Sequence, residues 1–132
     1  ELLMRNKLTE SNIELKIEIQ PIDLEINADK KYIEQVFINL IKNSIEAINN
    51  SSGVINLTAY KVQSERVIIE IQDNGKGIDP GIMDKIFIPF FSTKENGSGI
   101  GLSLAQQIMQ LHGGSITIET VLNTGTKIKL NF

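Results

Sequence analysis

Cysteine and tryptophan are absent from the 132 residues, and histidine occurs once. Without cysteine there is no disulfide, zinc ribbon or thiol nucleophile, and the redox compartment stays undecided. One histidine cannot build a multi-histidine metal site. Charge of one sign is also lacking: 13 Lys+Arg stand against 16 Asp+Glu, a formal net charge of −3. That leaves no basic footprint and argues against nucleic acid as a partner. No apolar run approaches the roughly 20 residues of a membrane helix, and the opening residues do not read as a signal peptide. This predicts no membrane contact by the chain itself. What remains is ordinary for a globular domain, with 41% hydrophobic and 22% charged residues. A chain of this length buries roughly two-thirds of its unfolded surface and folds around one core. Its chemistry must come from carboxylates, amides, hydroxyls, lysines and glycines.

Residues 1–8 have helical composition but are too few to stand alone; residues 1–10 read as the tail of an upstream helical segment, and residues 11–132 as the domain. Ile13 to Ile19 alternates apolar and charged residues, the period of a strand with one buried face, closed by Pro21. Asp29 reads as the N-cap of the longest helical run, whose apolar stripe includes Tyr32, Ile33, Val36, Phe37, Leu40, Ile41, Ser44, Ile45 and Ile48. The polar run Asn49 to Gly53 stops it. Strands follow at Val54 to Val62 and Val67 to Gln72, with a polar turn at 63–66 between them. Pro80 to Ile86 reads as a short helix and Phe87 to Ser98 as a loop. Gly99 to Leu111 is helical again, ended by His112-Gly113-Gly114. Two strands around Asn123-Thr124-Gly125 finish the chain. The expectation is an α+β fold: a two-layer α/β sandwich, with helices packed on one face of a mixed, mostly antiparallel sheet of about five strands.

Three segments have residue types suited to chemistry. Asn39 and Asn43 lie one helical turn apart on one face, with Glu46 near the next turn. Asparagine is a mediocre helix former, so the pair either faces solvent, bonds a neighbouring loop, or offers an amide oxygen to magnesium. Asp73-Asn74-Gly75-Lys76-Gly77-Ile78 follows a strand. It is either a glycine turn or a loop that lets a planar ligand approach, with Asp73 as the charged acceptor for an exocyclic amine such as adenine's. Gly97-Ser98-Gly99-Ile100-Gly101-Leu102 opens a helix and is either a hinge or a phosphate cradle. Its spacing fits neither the P-loop nor the dinucleotide fingerprint. Between the glycine segments, Phe87, Phe90 and Phe91 are three of the five phenylalanines, suited to a core or to a mobile lid. Lys94 is either a solvated surface lysine or within reach of a phosphate oxygen.

In this order, the segments resemble the ATP-binding catalytic domain of sensor histidine kinases, within the gyrase–Hsp90–MutL type of ATPases with the Bergerat fold. Residues 34–47 resemble that family's N box, Asp73 to Gly77 its G1 box, Phe87 to Phe91 its F box and Gly97 to Leu102 its G2 box. His112-Gly113-Gly114 and Gly125-Thr126 also fit. The resemblance spans roughly Ile13 to Phe132.

It implies that the domain binds ATP with magnesium and transfers the γ-phosphate to a histidine on a separate dimerisation domain, with a response regulator downstream. It implies a nucleotide site of Asn39, Lys42, Asn43, Ala47, Asp73, Gly75, Gly77, Ile78, Phe90 and Lys94, together with Gly97, Ser98, Gly99, Ile100, Gly101, Leu102 and Thr126. Asn43 is the implied metal ligand, and Asn39, Asn43 and Lys94 the implied catalytic residues. Gyrase-like members carry a glutamate base where this chain has Asn39, and an amide cannot take a proton from water. Phosphoryl transfer is therefore favoured over hydrolysis. Many histidine kinases have a basic residue where this chain has Glu46, leaving Lys42 or Lys94 to supply that contact. His112 reads as a helix cap rather than a phosphoacceptor. The chain is expected to be monomeric, and the full kinase a homodimer. The alternatives are a serine kinase of the anti-sigma-factor type and a catalytically degenerate ATP-binding module.

Overall fold

A computed structural model describes residues 8–49, 52–62, 65–93 and 97–132. Most of the opening segment (residues 1–7), parts of the turns near 50 and 63, and Lys94 lie outside the described residues. Strand β1 spans Ile13–Gln20, helix α1 Lys30–Ala47, β2 Gly53–Lys61, β3 Val67–Asp73, helix α2 Gly101–Leu111, β4 Ser115–Val121 and β5 Gly125–Asn131. The sheet order is β1-β2-β3-β5-β4. β1 and β2 run parallel, connected through α1, and every other pair is antiparallel. This is the α+β sandwich expected from the alternating patterns.

The register explains where the core sits. Cross-strand partners share a face, so Ala59, Ile69, Leu130 and Ile116 form one row across the sheet, and Leu57, Ile71, Ile128 and Ile118 the next. Both helices cover these rows, with Val36 and Leu40 of α1 and Ala105 and Met109 of α2 fully buried against them. The third row is Ile55, Asp73, Thr126 and Thr120. It turns polar at the end of the sheet where the chain leaves β3. The opposite face bears exposed and half-buried charge, including Lys129 Nζ 2.7 Å from Glu119 and Tyr60 donating to Glu70 at 3.1 Å.

Three local expectations change. In β1 the apolar face is buried only at its start: Ile13 is covered, whereas Ile17 is 60% exposed. β1 is an edge strand, and the helices pack chiefly on β2, β3 and β4. The segment after Pro80 forms a single 3-10 turn, Pro80–Ile82, capped by the Asp79 carboxylate accepting from Gly81 N–H at 2.7 Å. Its further bonds, Lys85 N–H to Ile82 O and Ile88 N–H to Lys85 O, keep the tighter i→i−3 spacing. Helix α2 starts at Gly101 rather than Gly99, because Gly99 has φ +66° and its carbonyl accepts from Phe90 N–H. A left-handed residue cannot continue a right-handed helix.

Asp29 caps α1 as expected, accepting from Lys31 N–H at 2.9 Å. His112 sits at the C-cap of α2, and both of its ring nitrogens are engaged. Nδ1 donates to the Ile108 carbonyl at 2.7 Å, and Nε2 accepts the Asp29 N–H at 3.0 Å. The Tyr32 ring meets it edge-on at 6.3 Å. One imidazole thus fastens the end of α2 to the start of α1, and the Nε2 lone pair needed for phosphoryl attack is occupied. His112→Ala is expected to destabilise the domain by about 1–2 kcal/mol, for two lost hydrogen bonds partly replaced by water. Urea unfolding checks this; an unchanged midpoint would show that the clamp contributes nothing.

Candidate functional site

The polar row opens into a cleft of about 1000 Å³ between α1, the sheet end and the segment leading into α2. That is the upper end of the usual size for a small-molecule pocket. Its floor is the Asp73 carboxylate, 5% exposed at the end of β3. Asp73 Oδ1 accepts from Gly75 N–H at 2.9 Å. Burial pushes the Asp73 pKa above its ordinary value, against the opposing pull of the Gly75 N–H, the Ser44 hydroxyl and the Thr126 N–H. A carboxylate has about four lone-pair sites, so even with these donors it keeps acceptor capacity toward the cleft.

The loop after Asp73 is held by its own backbone. Asn74 accepts from Val54 N–H at 2.8 Å and donates to the Ser52 carbonyl at 2.9 Å, so its amide is structural. Lys76 N–H donates to the Ala47 carbonyl at 2.9 Å, tying the loop to the end of α1. Ile78 N–H donates to Thr120 Oγ1 at 2.9 Å, tying it to β4. The Thr120 hydroxyl also lies 3.1 Å from that of Thr126.

Helix α1 forms one wall with Asn39, Lys42, Asn43 and Ala47. Gln35 Nε2 donates to Asn39 Oδ1 at 3.0 Å, and Asn39 Nδ2 donates to the Gly101 carbonyl at 3.3 Å. Asn39 therefore ties the wall to the first residue of α2. Asn43 stands a turn further along, near Gly101: a Cβ placed there would lie 4.0 Å from Asn43 Nδ2. Lys42 Nζ lies 3.8 Å from the Glu46 carboxylate at the same wall. Across the cleft run Gly97, Ser98, Gly99, Ile100, Gly101 and Leu102. Ile100, which precedes α2, makes no side-chain cap, so the first N–H groups of α2 have no side-chain partner from it.

Of the residues singled out in the sequence, the structure thus brings Asn39, Lys42, Asn43, Ala47, Asp73, Gly77, Ile78, Gly97 to Leu102 and Thr126 around one cleft. Gly75 and Phe90 are not among its lining residues. A Cβ on Gly75 would lie 2.7 Å from the Ala47 carbonyl, so this glycine admits protein backbone rather than ligand. Phe90 has φ +68° and is 78% exposed; that turn aims its ring outward and leaves Phe91 at the cleft.

Sequence reasoning missed Ser44, Lys76, Phe91, Ile118, Leu122 and Ile128 as lining residues. Ile118 and Ile128 had a signal in strand parity, since they share a row one step behind Thr120 and Thr126. Ser44 had none, because a small residue in an apolar stripe reads as core.

A cleft with a buried carboxylate floor, an amide-bearing helix wall and a glycine-rich segment entering a helix defines a nucleotide-binding class of domain. Residues 28–132 match the histidine kinase-, DNA gyrase B- and HSP90-like ATPase family, to which the chain belongs. The signal transduction histidine-protein kinase AtoS of Escherichia coli is 38% identical over 117 residues, covering 89% of this chain and 18% of that protein. The catalytic domain of the histidine kinase ThkA superposes with a TM-score of 0.87 at 34% identity, covering 99% of this chain and 85% of that one. ThkA in complex with the response regulator TrrA superposes at 0.81 and 31% identity, covering 99% of this chain and 37% of that one. The chain spans about a fifth of the curated relatives it matches first, at 18% and 21% of their lengths. Among the described residues no helix is long and apolar enough to cross a membrane.

Proposed function

We propose that residues 11–132 form the catalytic domain of a two-component histidine kinase, binding ATP with magnesium and delivering the γ-phosphoryl group to a histidine on a separate dimerisation domain. The observation that carries this is the buried Asp73 carboxylate at the floor of a cleft whose far side is the uncapped start of α2. Asp73 accepts the adenine amine, Ile78 and Ile118 flank the ring, and the α2 N–H groups face the phosphates.

The residues present fit a magnesium ion. Among the described residues no three His, Cys, Asp or Glu side chains cluster to cage a metal. Magnesium keeps several waters and takes phosphate oxygens, so one amide oxygen, that of Asn43 on the cleft wall, suffices. When bound, the ion neutralises phosphate charge. Asn39 positions rather than abstracts: its amide joins α1 to α2, and it has no basic oxygen for a water proton. Lys42 and Lys76 are described cations at the cleft, and Lys94 is assigned to the phosphates from the family pattern. The acceptor imidazole supplies its own nucleophile, so catalysis is positioning and charge neutralisation.

As with ThkA and TrrA, a response regulator is the downstream partner. The domain works on the cytoplasmic side as a monomeric unit of a dimeric kinase. Calorimetric titration with ATP is expected to show binding that strengthens with magnesium. Incubation with γ-labelled ATP and the kinase's histidine-bearing domain is expected to give acid-labile, base-stable phosphate. Acid-stable phosphate on serine, or no ATP binding at millimolar concentration, would overturn the reading.

A further inference from the structure

Helix α2 is fastened to α1 at both ends. At the far end the His112 imidazole accepts the Asp29 N–H at 3.0 Å. At the cleft end the Asn39 amide donates to the Gly101 carbonyl at 3.3 Å. The cleft end depends more on its tie, because the chain enters α2 through Gly99, at φ +66°, and Gly101, and glycine backbone is the least restrained. Gln35 completes that tie. It stands one turn before Asn39 on α1, and its Nε2 donates to Asn39 Oδ1 at 3.0 Å. Gln35 is not among the residues that line the cleft.

The three groups set one another's orientation. A backbone carbonyl only accepts, so the Asn39 amide must turn its nitrogen toward Gly101. Its oxygen then faces back along α1 and takes a donor, which the Gln35 amide nitrogen supplies. Water can replace that bond at this exposed position, but water does not select one orientation of the Asn39 amide. Turned over, the amide would set its oxygen against the Gly101 carbonyl and push the start of α2 away. We infer that Gln35 is a positioning residue of the cleft: acting through Asn39, it holds the first turn of α2 where its N–H groups meet the nucleotide phosphates. This rests on the reading of the cleft as an ATP site and adds to it a residue outside the lining. Because Gln35 acts only on the phosphate end, its effect is confined to ligands that carry phosphate.

The test measures ATP binding by calorimetry and adenosine binding by chemical-shift titration. It compares the native domain with Gln35→Met and Gln35→Glu, each alone and combined with Asn39→Ala. Gln35→Met keeps the chain length and loses the donor, and is expected to weaken ATP binding about fivefold. Gln35→Glu presents only acceptors and draws the Asn39 nitrogen back toward itself, so about tenfold is expected. In the Asn39→Ala background neither change at Gln35 should matter further, because the amide through which it acts is gone. Adenosine, which lacks phosphate, should bind both single Gln35 variants as it binds the native domain. Their urea midpoints should stay at the native value, since glutamine, methionine and glutamate have similar helix propensities.

Unchanged ATP affinity in either single Gln35 variant would overturn the inference. So would losses that persist in the Asn39→Ala background, which would trace them to charge or to the helix surface rather than to the amide. An equal weakening of adenosine, or a lowered midpoint, would also overturn it by showing a general structural role. Failure of the native domain to bind ATP at all is a different result and would sink the adenine-nucleotide reading itself.

Discussion

Asp73→Asn is expected to weaken ATP binding by about 100-fold or more while leaving the domain folded. The loss follows from donor and acceptor bookkeeping. The Asp73 carboxylate spends Oδ1 on the Gly75 N–H and keeps further acceptor capacity for an amine in the cleft. Asparagine has one oxygen, which the Gly75 N–H would retain, and its amide group would then face the adenine amine donor to donor. A charge-assisted bond is replaced by a clash in a desolvated site.

Stability should move the other way. Burial raises the folded pKa of Asp73 above the ordinary carboxylate value of 3.8. Relative to an unperturbed carboxyl, its contribution to stability is therefore fully present below the unfolded value and is lost as pH rises through the raised folded value. At neutral pH the native domain carries that cost and the asparagine variant does not. Chemical unfolding of both proteins from below pH 3.8 upward should show the variant gaining on the native domain across that window. ATP binding by the native domain should fade as pH falls through the same window, because a protonated Asp73 is no longer a charged acceptor. Binding by Asp73→Asn within tenfold of native, or a stability difference that narrows with rising pH, would refute the assignment.

Much of this site was legible in the sequence because its parts sit at element ends, where local signals are strongest. Asp73 ends an alternating strand, so its face followed from Ile69 and Ile71 before it. Asn39 and Asn43 broke a helical stripe at one-turn spacing. Gly97 to Gly101 marked a helix start. Patterns of period two and 3.6 decide which face a residue takes, but not how far the opposing layer extends. That is why Ile17 and Ile19 read as buried and yet lie at an edge the helices cover poorly.

Close approaches between distant segments had no local signal either. Gly75 looked like ligand space and turned out to admit the Ala47 carbonyl. Phe90 and Phe91 were indistinguishable until one backbone angle assigned one to solvent and the other to the cleft. Ser44 is the extreme case: a small residue in an apolar helical stripe reads as core, and only its place on the cleft wall beside Asp73 separates it.

Gly125→Ala is expected to destabilise the domain by about 3 kcal/mol and to remove ATP binding with it. The residue has φ +142°, and a Cβ there would lie 2.0 Å from the Asp73 carbonyl oxygen and 3.1 Å from the Asn74 Cα. Both are backbone atoms, so no rotamer change relieves the overlap; β5 must part from β3. The pair that parts first is Asp73 and Thr126, the two residues at the floor of the cleft.

Gly113 separates this effect from backbone strain alone. It has φ +72° with nothing within 4 Å of an added Cβ. Gly113→Ala should therefore cost only the left-handed penalty, about 1 kcal/mol, and leave ATP affinity unchanged. Urea unfolding and ATP titration of the two variants form one experiment. If both glycines cost the same and both bind ATP, the strand-end contact does not hold the carboxylate in place, and Asp73 must be positioned by its own loop, through Gly75 and the Lys76 link to α1.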